Sequence, residues 1–196
     1  DSFFSIGGHS LLAMKVIASL RDKVGSEIPL RIVFEYPTPE GLASQITHNT
    51  SWPYNPLLPL QSKGTKLPIF CVHPGGGFGT VYQNLSHALG LDQPVWAFQA
   101  RGIGQEEALH ESMDHMIEEY IAAMRSVQPS GPYTLLGWSS GGTVAHAMAV
   151  RLEDEGDTVS AVILMDAPIN IEADASTDNT QSHEDAVQGQ LVDFAG

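Results

Sequence analysis

The chain has 196 residues and a mass of 21.1 kDa, with 42% hydrophobic and 16% charged residues, enough for a packed core and against wholesale disorder. Nine basic residues against 23 acidic ones give a net charge of −14, which argues against nucleic acid or an anionic membrane as the main partner. A single cysteine, Cys71, excludes an internal disulfide and a Cys-rich zinc site, and no apolar run approaches the roughly 20 residues of a membrane helix.

Most of the acidic surplus falls in the last quarter of the chain. The N-terminus lacks the basic region and apolar run of a signal peptide, and it opens without Met, as though cut from something longer. Residues 1–9 read as a Phe- and Gly-rich loop. The apolar spacing of Leu11, Leu12, Met14, Val16, Ile17 and Leu20 predicts a helix with Ser10 as its N-cap. Thr38-Pro39-Glu40 opens a second helix, with Leu42 and Ile46 on one face. Pro53, Pro56, Pro59, Ser62 and Gly64 break any period, so residues 49–67 read as a semi-rigid linker.

From residue 68 onward strands and helices alternate. Pro68–Val72, Val95–Phe98, Tyr133–Leu136 and Val159–Met165 read as strands. Helices are expected around Val81–Leu89, Met113–Val127 and Gly142–Leu152. This alternation predicts an α/β domain built on a parallel sheet.

Between the third of these strands and the third helix lies Gly137-Trp138-Ser139-Ser140-Gly141, a G-x-S-x-G nucleophile elbow in its strand–turn–helix setting. Its glycines make room for a tight turn that presents the Ser139 hydroxyl, and the following helix N-terminus favours developing negative charge. The elbow chemistry asks for two oxyanion donors. The Ser140 N–H is one, and Gly75, in His73-Pro74-Gly75-Gly76-Gly77, is chosen for the other. Asp166 ends the fourth strand on the same carboxyl edge and is the candidate acid. Only His183 lies downstream of Asp166, in a polar stretch with no strand to position it, and His73, His110, His115 and His146 are also misplaced for a base. The catalytic histidine is therefore expected in sequence beyond Gly196.

The segment Asp1-Ser2-Phe3-Phe4-Ser5-Ile6-Gly7-Gly8-His9-Ser10-Leu11 resembles the peptidyl-carrier signature of nonribosomal peptide synthetases, and the likeness continues to about Ile46. The resemblance implies covalent 4′-phosphopantetheine on Ser10, attached by a phosphopantetheinyl transferase. Residues 68–196 resemble the type I thioesterase domain of such assembly lines through Phe70–Gly77, Tyr82-Gln83-Asn84-Leu85, Gln99-Ala100-Arg101-Gly102, Gly131–Gly142 and Met165-Asp166. It implies an α/β-hydrolase fold, with Ser139 and Asp166 as two members of the triad. The expected organisation is a partial all-α carrier bundle over 1–48 without its first helix, the linker, and a hydrolase over 68–196 ending before its late strands and histidine. The acidic stretch 172–193 would begin a lid.

The function so implied is release of a carrier-tethered peptidyl thioester, by hydrolysis or macrocyclisation, in cytoplasmic secondary metabolism of the antibiotic or siderophore kind. Condensation and adenylation domains would lie upstream, with no nucleic acid or membrane partner. A generic serine esterase and an inert carrier or tethering fragment remain the alternatives.

Overall fold

The computed structural model describes residues 1–49, 52–103 and 107–168. The N-terminal region holds three helices, α1 (Ser10–Val24), α2 (Arg31–Glu35) and α3 (Pro39–His48). α1 ends at Gly25, whose φ of 69° places it in the left-handed region that terminates helices. Thr38 caps α3 by accepting a hydrogen bond from Gly41 N–H at 3.1 Å, with Pro39 in the first turn, as the sequence predicts. The cap of α1 differs from expectation. His9, with extended dihedrals, is the N-cap and Ser10 the first helical residue, and the Ser10 hydroxyl donates to a distant partner, Gln83 Oε1, at 2.6 Å.

The remaining elements are β1 (Leu57–Gln61), β2 (Ile69–Val72), a 3₁₀ turn (Gly79–Tyr82) running into α4 (Gln83–Leu89), β3 (Val95–Phe98), α5 (Met113–Val127), β4 (Tyr133–Trp138), α6 (Ser140–Asp154) and β5 (Val159–Met165). They form one sheet in the order β1-β3-β2-β4-β5. β2, β3, β4 and β5 pair in parallel, whereas β1 runs antiparallel to β3. The stretch expected to be a linker thus contains a strand, and the sheet is mixed. β1 carries Pro59, which cannot donate to a ladder, and an irregularity in register beside it. An edge position tolerates both.

Alternation along the strands divides two cores. Leu57, Phe70, Val72, Phe98, Tyr133 and Leu135 face α5 and α6, and meet Ile117, Tyr120, Ile121, Met124, Val144, Met148 and Leu152. Leu58, Cys71, Val95, Ala97 and Leu136 point to the opposite face. There they share a cluster with Tyr82 and with Ala13, Ile17, Ile28, Ile32 and Val33 of the N-terminal region. The two regions therefore pack through a common apolar layer. Cys71 sits fully buried in it, and burial pushes its thiol up to about 12.

The chain leaves β2 for β3 on one side and returns to β4 on the other. The crevice at the carboxyl ends of β2 and β4 is therefore a topological switch point, where sheets of this kind collect their chemistry.

Candidate active site

The loops after β2 and β4 meet at that switch point. Ser139 follows β4 with φ 55° and ψ −131°, a conformation that a non-glycine residue holds only under constraint. Three contacts supply the constraint. Ser139 N–H donates to Met165 C=O at the end of β5 at 2.9 Å, and Gly142 N–H donates to Ser139 C=O at 2.9 Å. A Cβ on Gly137 would overlap the Gly141 carbonyl, so the turn is closed backbone to backbone.

Asp166 follows β5 directly and has φ 48°. Among the described residues, Ser139 and Asp166 are the two non-glycine positions with positive φ. They are also the two side chains that the sequence nominates for catalysis, and the Met165 carbonyl that binds the Ser139 amide belongs to the residue before Asp166. Asp166 is exposed and Ser139 half-buried.

Ser140 begins α6, so its N–H has no acceptor within the helix. Gly75 lies opposite: a Cβ built on it would stand 3.5 Å from Ser140 Oγ. The direction of the Gly75 amide follows from its neighbours. The Pro74 carbonyl accepts from Gly77 N–H at 2.9 Å and from His73 Nδ1 at 2.8 Å. In a trans peptide the Gly75 N–H points opposite to the Pro74 C=O, hence away from both donors. The two candidate oxyanion positions, Gly75 and Ser140, therefore lie beside each other at the crevice.

His73 is committed to this loop. A carbonyl only accepts, so Nδ1 carries the proton, and Nε2 accepts from the Tyr120 hydroxyl at 2.8 Å. Burial lowers the His73 pKa, and the Pro74 contact opposes the shift only in part. Tyr120 stacks on Phe98 with ring centroids 4.5 Å apart, and burial raises its phenol. Behind it, Glu119 bonds Arg101 and also His110 Nε2, the latter at 3.3 Å.

A stability consequence follows. The unfolded chain protonates His73 as pH falls below about 6.5, whereas the folded chain resists until a lower pH. The unfolded state then binds more protons. Stability contributed by neutral His73 is complete above that value and declines as pH falls towards the lowered folded pKa. The urea midpoint should drop between pH 7.5 and pH 5.5, and His73→Asn should flatten part of that slope. His110, whose pKa is lowered chiefly by burial, adds a slope of the same sign that the variant leaves in place.

No hydrogen bond joins a histidine to Ser139 among the described residues. His146 is exposed on α6, and His115 is exposed on α5. His183 and the acidic stretch 172–193 lie outside the described residues. Also among the described residues, no group of three His, Cys, Asp or Glu side chains could hold a metal ion, and no helix is long and apolar enough to cross a membrane.

Ser10 lies on the opposite face of the sheet from α5 and α6, where α1 packs. Its position fits a phosphodiester: the first turn of α1 has no acidic residue and no side-chain cap, so its amides can receive an anion once Gln83 yields the hydroxyl. Sequence reasoning missed Gln83 as the partner of Ser10 and missed the tie of His73 to Tyr120. Both are contacts between residues far apart in the chain, 73 and 47 positions respectively.

A family model described as Thioesterase domain matches residues 67–196, and one described as Phosphopantetheine attachment site matches residues 1–46. The dimodular nonribosomal peptide synthase of Bacillus subtilis (strain 168) is 46% identical over 168 residues, which is 85% of this chain and 7% of that protein. Malpinin synthetase of Mortierella alpina is 42% identical over 190 residues, 94% of this chain and 2% of that protein. The chain thus spans a small fraction of the curated relatives it matches. Among solved structures, a four-domain nonribosomal peptide synthetase bound to AMP and glycine aligns with a TM-score of 0.60 at 31% identity, over 93% of this chain and 14% of that one. The thioesterase domain from the nocardicin cluster aligns with a TM-score of 0.55 at 28% identity, over 71% of this chain and 66% of that one.

Proposed function

Since the chain belongs to the thioesterase domain family and matches a phosphopantetheine attachment site upstream of it, we propose that it is the release end of a nonribosomal peptide assembly line. In this reading residues 1–48 are the carrier, 49–67 connect and contribute β1, and 68–196 form the thioesterase. Ser10 is the attachment residue. The pantetheine arm, when bound, supplies a terminal thiol that holds the acyl chain as a thioester.

Ser139 Oγ attacks the acyl carbonyl, and the N–H groups of Gly75 and Ser140 hold the oxyanion. Asp166 orients a histidine that takes the Ser139 proton and returns it to the leaving group. That histidine belongs to sequence outside the described residues. The acyl-serine is then opened by water, giving an acid, or by an internal amine or hydroxyl, giving a ring. A phosphopantetheinyl transferase, upstream condensation and adenylation domains and a cytoplasmic setting complete the proposal.

The observation that carries it is the pair of constrained residues, Ser139 and Asp166, at adjacent strand ends, with Ser140 beside the Gly75 loop. Strain of this kind persists where the surroundings impose it, and it clusters at reacting groups. A generic esterase would share the elbow but leave the phosphopantetheine match unexplained. The test uses the full-length protein, coenzyme A and a phosphopantetheinyl transferase, with intact-mass measurement. One arm's mass should appear on the wild type and be absent from this site in Ser10→Ala. An unchanged gain in Ser10→Ala would remove Ser10, and no gain in the wild type would remove the carrier reading.

A further inference from the structure

Tyr82 closes the 3₁₀ turn after the oxyanion loop and is 3% exposed. Its hydroxyl donates to the Val72 carbonyl at 2.6 Å and accepts from the Trp138 N–H at 2.9 Å. Those two groups belong to neighbouring strand ends. Val72 pairs with Gly137 at the last register position of β2 and β4. In a parallel ladder, that pairing brings the Val72 carbonyl to the Trp138 amide. The phenol oxygen lies within hydrogen-bond distance of both of those groups. It bonds both backbone groups at once and so ties the two strand ends together through one side chain.

The place of the tie matters. The segment that carries Gly75 leaves β2 immediately after Val72. The segment that carries Ser139 and Ser140 leaves β4 immediately after Trp138. One hydroxyl therefore grips the roots of both donor-bearing loops. The same root is packed from the far side, since a Cβ on Gly141 would overlap the carbonyl oxygens of Val72 and His73. Burial raises the Tyr82 phenol, so the hydroxyl keeps its proton and goes on donating at working pH.

We propose that Tyr82 is a positioning residue for the release reaction. Its hydroxyl sets the spacing between the β2 and β4 ends, and so the spacing between the Gly75 and Ser140 amides that receive the oxyanion. This rests on the roles given above to Ser139, Ser140 and Gly75. A tyrosine that merely filled the core would matter through its ring, which Tyr82→Phe keeps.

The experiment compares full-length wild type, Tyr82→Phe and Ser139→Ala on an acyl N-acetylcysteamine thioester, and follows labelling of Ser139 by a fluorophosphonate. Rates are counted per folded molecule, by circular dichroism. Tyr82→Phe should lower kcat by about 10- to 100-fold, the scale of a misplaced oxyanion donor, with KM within about twofold. Labelling of Ser139 should slow in parallel. If kcat and labelling per folded molecule stay within about threefold of wild type, the positioning role is overturned. A rise in KM alone overturns it too, since that marks lost ground-state binding. Should Tyr82→Phe fold poorly, labelling of the folded fraction in the cold still gives the comparison. Turnover and labelling that survive Ser139→Ala would instead overturn the site assignment itself, whatever Tyr82→Phe does.

Discussion

Ser139→Ala should lower release of the acyl chain by about four orders of magnitude or more while leaving the fold intact. In the proposed reaction the hydroxyl forms the covalent bond, and alanine keeps the Cβ, so the elbow backbone meets the same constraints. The residual rate would come from the Gly75 and Ser140 amides acting on attack by water, which alone supply a modest acceleration. The measurement is a single-turnover assay on the acyl-loaded full-length protein, with released product followed by mass spectrometry. The variant should accumulate acyl chain on the carrier region. Release within about tenfold of wild type would assign the nucleophile elsewhere.

Gly141→Ala should have a large effect on stability. The added Cβ would overlap the carbonyl oxygens of Val72 and His73, both main-chain atoms. No rotamer change can relieve such a clash, so β2 and α6 must separate. The expected loss is about 3 kcal/mol or more, in the range of severe overpacking. Gly156→Ala is the control. Gly156 has φ +88° with nothing within 4 Å of an added Cβ, so only backbone strain of roughly 1–2 kcal/mol applies. Urea unfolding at neutral pH distinguishes the two, and equal midpoints would contradict the steric account. Any Gly141→Ala molecules that fold should also be slow, because the clash falls at the root of the Gly75 loop.

The parts of the fold that the sequence predicts well are those whose periodicity is long or whose caps are local. Met113–Val127 shows an uninterrupted apolar stripe, and α5 has those bounds. Val95–Phe98 and Val159–Met165 likewise match β3 and β5. β1 is hidden because its five residues, Leu57 to Gln61, include Pro59 and pair with a strand more than thirty positions away. α2 is hidden because five residues give too short a window for a helical period.

The elbow was legible since strand, glycines and serine occur together. The behaviour of Ser10 was not. A cap is a local expectation, whereas the bond from Ser10 to Gln83 is a contact that the chain order does not announce. Tyr82 is the same case: its residues appear in a recognisable run, but its hydroxyl acts on Val72 and Trp138, which precede and follow it by 10 and 56 positions.

The burial of Cys71 has a practical consequence for anyone following the carrier arm. Cys71 is the single cysteine of the chain, has no solvent exposure, and holds its proton up to about 12. Thiol reagents act on the thiolate, so this side chain is a silent background at neutral pH. A maleimide or disulfide dye that reacts fast with the folded chain reports on an added thiol. Dye uptake then counts loaded carriers, and its loss on acylation counts charged ones. Slow, denaturant-dependent uptake by Cys71 would serve in the same tube as a clock for opening of the layer shared by the two regions.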